Sequence, residues 1–308
     1  MLLFLLALSF AVVYVLRCIH DDYFVTIIER ARRRDEDLFD EFTYYERPCS
    51  VLDVTATQEQ GDLLLLKNKE TAVDQMMTHG ALMIPEILSG AMVQELRDFV
   101  VQKNNAVRGT ADEYPVSQGL NRISYGIEAA EHPAVIRALK EIHDNSVLQG
   151  TLETLMGRNP ALTEITAITA SYGAPDQAWH SDVKSEGNAV QFGRTYSHSY
   201  SLFITLQNTT GAMGATDLCP GTHYCADENL HTICESQKIG LHQTRKDANV
   251  WRAGDAALLN QQVWHRGTKH VDQNAIERII FIVSFIGRPV DPRQLARGTY
   301  FHMKWNMW

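Results

Sequence analysis

The spacing of apolar residues changes character near Glu164, and that change restricts the folds open to this chain. Before it, the runs have helical rhythm. In "HGALMIPEILSGAMVQELRDFVVQKN" the sequence predicts a short strand over Ala81–Ile84, then a helix capped by Ser89. Met92, Val93, Leu96, Phe99 and Val100 recur at three- and four-residue steps, on one face of that helix. "EHPAVIRALKEIHDN" puts Pro133 in a first helical turn. "SVLQGTLETLMG" pairs Ser146 with Gln149 in a capping box, with Gly157 as a stop. From Glu164 onward, "EITAITASYG", "YSHSYSLFITLQN", "DAALLNQQVWH" and "RIIFIVSFIG" are β-branched and aromatic runs bounded by turn residues. Helices followed by strands specify an α+β class with a barrel or sandwich core.

A chain of 308 residues, 45% hydrophobic and 21% charged, suits one large domain or two small ones. Its net charge of −9 does not point to nucleic acid. Five cysteines, an odd number at loose spacings, argue against a disulfide framework and predict reduced thiols. The opening run "MLLFLLALSFAVVYVL" carries no charge. As a helix it would span about 24 Å, close to a ~30 Å hydrocarbon core once extended through Ile19. Residues 1–19 are therefore expected to form an uncleaved membrane anchor, with a cleaved signal peptide as the alternative. The expected organisation is this anchor, a charged juxtamembrane linker over 20–68, a domain over 69–290, and an aromatic tail over 291–308. Arg30–Arg34 would keep that side in the cytosol. Asn208-Thr209-Thr210 is a glycosylation sequon, meaningful only on a lumenal domain. The expectation is an endomembrane protein whose orientation these two signals leave open.

His-x-Asp occurs three times, at His20/Asp22, His180/Asp182 and His270/Asp272. Spacing does not choose among them, but context does. His20/Asp22 abuts the apolar run in a charge-rich stretch, and His270/Asp272 sits in a loop between strong strands. His180/Asp182 ends a strand that runs through Ala170–Tyr172, and on a strand residues two apart point to one face. A facial triad needs two histidines and one carboxylate. His265, at the end of "GDAALLNQQVWH", is the best third ligand. That run and "ERIIFIVSFIG" are expected to form a hairpin, bringing Arg278 near His265. A lone arginine at the head of a buried strand needs an anion, and a dicarboxylate matches its forked donors.

At this point "HGALMIPEILSGAMVQELRDFV", "QAWHSD", "LFITLQNTTGAMGATDLCPGTH" and "GDAALLNQQVWHRG" resemble the phytanoyl-CoA dioxygenase-like iron(II)/2-oxoglutarate oxygenases, over about residues 75–288. The Pro-Gly-Thr-His turn at 220–223 is similar to that family's Pro-Gly-Ser-His. The interval from His265 to Arg278 is slightly longer than the family pattern. The resemblance implies a double-stranded β-helix, a jelly-roll or cupin-like core with helices outside. It implies that His180, Asp182 and His265 hold Fe(II) and that Arg278, helped by Gln177, binds 2-oxoglutarate. It further implies O₂ as co-substrate, ascorbate as reductant, release of succinate and CO₂, and hydroxylation of a C–H bond. The carboxylate of Asp182 favours hydroxylation, since halogenating relatives place chloride there. An anchored enzyme would suit a small, lipid-like substrate.

Two other readings compete. Cys219, His223, Cys225, His231 and Cys234 could form a zinc site, although paired C-x₂₋₄-C spacing is absent. The barrel could also be a non-catalytic binding or scaffold module on a membrane.

Overall fold

The computed structural model describes residues 69–114, 120–156, 160–183, 199–224, 230–244 and 249–287. The expected anchor, linker and aromatic tail, and Gly157, lie outside these residues. Among the described residues, no helix is long and apolar enough to cross a membrane.

The first half folds as its periodicity dictates. Helix α1 (Lys69–His79) leads into strand β1 (Ala81–Ile84) and helix α2 (Gly90–Val107). Ser89 caps α2, its hydroxyl accepting from the Met92 backbone N–H, and the predicted face of α2 is buried. Strand β2 (Arg122–Gly126) precedes helices α3 (Pro133–Asp144) and α4 (Ser146–Met156). Pro133 sits at the start of α3, as predicted. The cap of α4 differs by one residue. Asn145, not Ser146, accepts from the Leu148 N–H, and Gln149 turns to His143 instead of back to the cap. Asparagine is as good an N-cap as serine, and here it precedes the first helical residue.

The second half supplies β3 (Ala161–Ala170), β4 (Ser199–Thr205), β5 (Thr209–Thr210), β6 (Thr216–Cys219), a short helix α5 (His231–Gln237), β7 (Ile239–Gly240), β8 (Val250–Trp251), β9 (Ala256–Asn260), β10 (Trp264–Gly267) and β11 (Arg278–Ile286). The large sheet has six strands in the order β1-β9-β4-β11-β3-β2, every pairing antiparallel. β10-β6-β7 and β5-β8 form the smaller sheets. This antiparallel core with helices outside fits the cupin-like, jelly-roll class.

The alternation of side chains along each strand separates two apolar layers. Leu82, Tyr125, Ala167, Leu202, Leu258, Phe281 and Val283 face the helices, against Leu96, Val100, Leu139 and Leu152. Leu96 and Leu152 are fully buried, each worth roughly 1.5–3 kcal/mol. A buried polar link pins α2 to the sheet: the Tyr125 hydroxyl donates to Asn104 Oδ1 at 2.8 Å, and Asn104 Nδ2 donates to Thr169 Oγ1 at 3.0 Å. The opposite face of the sheet contributes Met83, Phe203, Ala257, Ile280 and Ile282 to a second cluster with Leu218, Ile239 and Trp251 of the smaller sheets. The site opens within this inner layer.

Two expectations fail here. "DAALLNQQVWH" is not one strand. It breaks after Asn260, whose side chain accepts from the Gln262 N–H while its carbonyl accepts from the Val263 N–H. This Asx-type turn carries the chain from β9 in the large sheet to β10 in a smaller one. Nor do β10 and β11 form a hairpin: β10 pairs with β6, and β11 with β3 and β4. In a sandwich, consecutive strands that switch sheets face each other across the interior, so Arg278 still comes close to β10.

Candidate metal centre

β3 ends at Ala170, and the chain continues irregularly to His180, which forms an isolated antiparallel bridge with His265. His180 and Asp182 therefore do not share a strand running on from Ala170, as their spacing predicted. The bridge aligns them instead: His180 N–H donates to the His265 carbonyl at 3.1 Å, and His265 N–H returns the bond at 2.8 Å.

The two imidazoles lie with ring centroids 4.5 Å apart, and Asp182 Oδ1 is 3.6 Å from His265 Nε2. One donor atom from each of His180, Asp182 and His265 falls within 4.8 Å of the others. Donors bound at right angles to one ion at ~2.1 Å sit about 3 Å apart, so a small closure of these side chains reaches ligation. The tautomers suit that role. His180 Nδ1 is 2.8 Å from the Ala178 carbonyl and His265 Nδ1 is 3.0 Å from the Val263 carbonyl. A carbonyl only accepts, so each Nδ1 carries the proton and each Nε2 keeps a lone pair for a metal. Burial, reinforced by the neighbouring His265, lowers the His180 pKa, which favours the neutral ligand form. Phe203 packs edge-on against His265 at 5.4 Å, giving the centre an apolar wall.

Arg278 is 2% exposed, and its Nε has no hydrogen-bond partner. No carboxylate pairs with it among the described residues. Burial, with Arg122 adding like-charge repulsion, pushes its guanidinium down to about 9, so it remains cationic at neutral pH. Sequence reasoning missed Arg122. β2 and β11 both pair with β3, and Arg122 and Arg278 are both registered to Ala170. Directly opposed residues share a face, so the two guanidiniums flank the small Ala170 side chain in one row. Arg122 is also buried, donating from Nη2 to the Pro175 carbonyl at 2.9 Å, while its Nε has no partner. Two cations this deep cost several kcal/mol unless an anion offsets them.

Gln177 lies beside the same pocket, its Oε1 accepting from the Gly267 N–H at 2.7 Å. A Cβ on Gly267 would sit 2.6 Å from that oxygen and 3.2 Å from Arg278 Nη2, so only glycine lets β10 approach this closely. The strap before His180 is anchored by Trp179, which stacks under Arg266 at 4.7 Å and donates from Nε1 to Glu235 Oε1 at 3.2 Å. Arg266 in turn pairs with Asp217 and Glu235.

The remaining candidates do not join the cluster. His270 is buried with Nε2 against the Ile276 carbonyl, 3.4 Å away. His20/Asp22 lies outside the described residues. The zinc reading is corrected in part: Cys219 and Cys234 form a disulfide, which removes both thiolates as metal ligands. His223 is buried against the Met77 carbonyl, His231 stacks edge-on with Trp264, and Cys225 lies outside the described residues. The disulfide equally corrects the expectation of reduced thiols for this pair.

Fold and site together define a class: a jelly-roll carrying a two-histidine, one-carboxylate cluster beside a buried cationic pocket. Solved structures of that fold include the non-heme alpha ketoglutarate dependent carbocyclase SnoK from nogalamycin biosynthesis, at 17% identity and a TM-score of 0.51, covering 72% of this chain and 85% of that one. HygX from Streptomyces hygroscopicus, with nickel and 2-oxoglutarate bound, matches at 14% identity and a TM-score of 0.51, over 72% of this chain and 88% of that one. The epimerase SnoN from nogalamycin biosynthesis matches at 11% identity and a TM-score of 0.51, over 71% of this chain and 83% of that one. Two of these neighbours are named as alpha ketoglutarate dependent and the third holds 2-oxoglutarate, in line with the resemblance drawn from the sequence. At such identities the likeness establishes a common fold. No family model and no curated protein sequence matches the chain.

Proposed function

We propose that this protein is an Fe(II)- and 2-oxoglutarate-dependent oxygenase acting on a C–H bond of a small molecule. The observation that carries the reading is the convergence of His180, Asp182 and His265 beside the buried, unneutralised Arg278. His180 Nε2, His265 Nε2 and an Asp182 oxygen would hold the metal, a two-histidine, one-carboxylate set suited to Fe(II). Iron and 2-oxoglutarate, when bound, supply the oxidising power: the keto acid loses CO₂ to become succinate and one oxygen atom of O₂ goes to the substrate. Arg278 would grip the distal carboxylate in its two-pronged fork, with Arg122 raising the local positive potential. Gln177 holds the 177 and 267 backbones together around that carboxylate. Phe203, Ile280 and Ile282 exclude water from the inner layer.

Hydroxylation is the favoured outcome because Asp182 occupies the third ligand position. A lipid-like substrate is favoured by the apolar run at residues 1–19, which would bring the domain to a membrane. The neighbours named as an epimerase and a carbocyclase mark the alternative, in which hydrogen is abstracted without oxygen transfer. The test is succinate formation from 2-oxoglutarate by the purified full chain with Fe(II), O₂ and ascorbate, beside Asp182→Ala. Equal background from both proteins refutes catalysis at this site. A product heavier by one oxygen in a screen of candidate lipids supports hydroxylation, and an isomerised or cyclised product refutes it.

A further inference from the structure

Asn208 opens the only Asn-x-Ser/Thr sequence in the chain, Asn208-Thr209-Thr210. The fold places it at the corner between β4 and the start of β5, which pairs with β8. Asn208 is exposed, while Thr209 beside it is fully buried. The Asn208 side-chain oxygen accepts from the Ala253 N–H at 3.0 Å. That bond uses the oxygen and leaves Nδ2, the atom a glycan attaches to, with no partner among the described residues.

A sequon acts only where glycan transfer occurs, in the secretory lumen. The Cys219–Cys234 disulfide is an independent pointer to the same place. Both cysteines are fully buried, and disulfides persist in oxidising compartments but are rare where thiols are kept reduced. The charge-free run over residues 1–16 would supply the signal or anchor for entry. Against these stands the basic stretch Arg30–Arg34, which favours a cytosolic domain. The disulfide and the accessible sequon agree with each other and outweigh it.

We propose that this domain faces the lumen and that Asn208 carries an N-linked oligosaccharide. In the transfer, Asn208 Nδ2 bonds to the anomeric carbon of a lipid-diphosphate-linked oligosaccharide. The carbon–oxygen bond to the diphosphate breaks, the lipid diphosphate departs, and the nitrogen loses one proton; nothing is oxidised or reduced. The proposal is independent of the oxygenase reading, because its test reads no activity.

The full chain is expressed in eukaryotic cells, treated with peptide-N-glycosidase and compared by mobility. Wild type is expected to shift in one step. Asn208→Gln and Thr210→Ala are expected to run at the treated position with or without enzyme, and Thr210→Ser to keep the shift. Peptide mapping without reductant is expected to recover Cys219 joined to Cys234. A wild-type chain that does not shift, a shift that survives in Asn208→Gln, or free thiols at both cysteines would each overturn the proposal.

Discussion

Arg122 and Arg278 stand on either side of Ala170 in one cross-strand row, two buried cations of which Arg122 has the Asp176 carboxylate in range and Arg278 has no acidic partner among the described residues. Such a pair is destabilising by itself and becomes favourable when a dianion enters. The free protein is expected to gain Tm on adding 2-oxoglutarate. Arg122→Met is expected to shrink that gain and weaken co-substrate binding, as read by thermal shift and calorimetric titration. An undiminished gain would remove Arg122 from the pocket.

Arg278→Lys keeps the charge and loses the fork. A compact ammonium cannot match both carboxylate oxygens, so the KM for 2-oxoglutarate is expected to rise about tenfold or more, about 1.4 kcal/mol. Steady-state kinetics at varied 2-oxoglutarate measures this, and an unchanged KM contradicts it.

His265→Ala is expected to abolish Fe(II) binding, and His270→Ala to preserve it. His270 is buried, so its removal should lower Tm while metal analysis of the folded protein still finds iron. The reverse metal result would transfer the third ligand to His270.

His223 makes stability pH-dependent. Burial pushes its pKa down from 6.5 to about 4, with His79 nearby adding to the depression and the Met77 carbonyl opposing it. The folded state binds the proton less readily than the unfolded one. Its contribution is thus complete above pH 6.5 and is lost as pH falls toward 4, by up to about 3 kcal/mol. In His223→Gln the fall in Tm over that window should be smaller, as a pH series of melting curves will report. Parallel curves for the two proteins would contradict it.

Opening the disulfide releases a loop of 15 residues' separation, a loss of about 3 kcal/mol by chain entropy. The double variant Cys219→Ser/Cys234→Ser should melt at lower temperature than wild type. Because α5 carries Glu235 under Trp179, next to His180, metal affinity should weaken as well. Unchanged melting would mean that the pair does little for the native state.

Local signals were legible where one residue's chemistry decides the outcome. Ser89, Pro133 and the apolar face of α2 follow from capping and periodicity. The grouping of His180, Asp182, His265 and Arg278 was also readable, although by partly mistaken geometry. The strand expected to carry His180 and the hairpin expected to carry Arg278 are absent, and the residues meet because opposed sheets share an interior. Arg122 was not legible, since only the register of β2 and β11 on β3 brings it to Arg278. The turn at Asn260 had a signal, an asparagine followed by two glutamines, but the flanking apolar runs masked it. The Cys219–Cys234 pairing had none, because an odd count says nothing about which thiols meet.

The turn at Asn260 also governs where this sequence can change length. Between Asn260 and His265 the chain leaves one wall of the sandwich and lands on the other with the imidazole facing inward. Strand faces alternate, so one added residue there would turn His265 outward. The crossing from Gly267 to Arg278 is tied down over residues 268–272, which hydrogen-bond to Gly173, Ala174, Asp176, Ala212 and Ala215, and turns back over residues 272–275 before Arg278. Insertions and deletions should therefore be purged between Asn260 and His265 and over residues 268–272, and accumulate in the exposed turn around residues 273–276, the one stretch of the long interval between His265 and Arg278 held by local bonds alone.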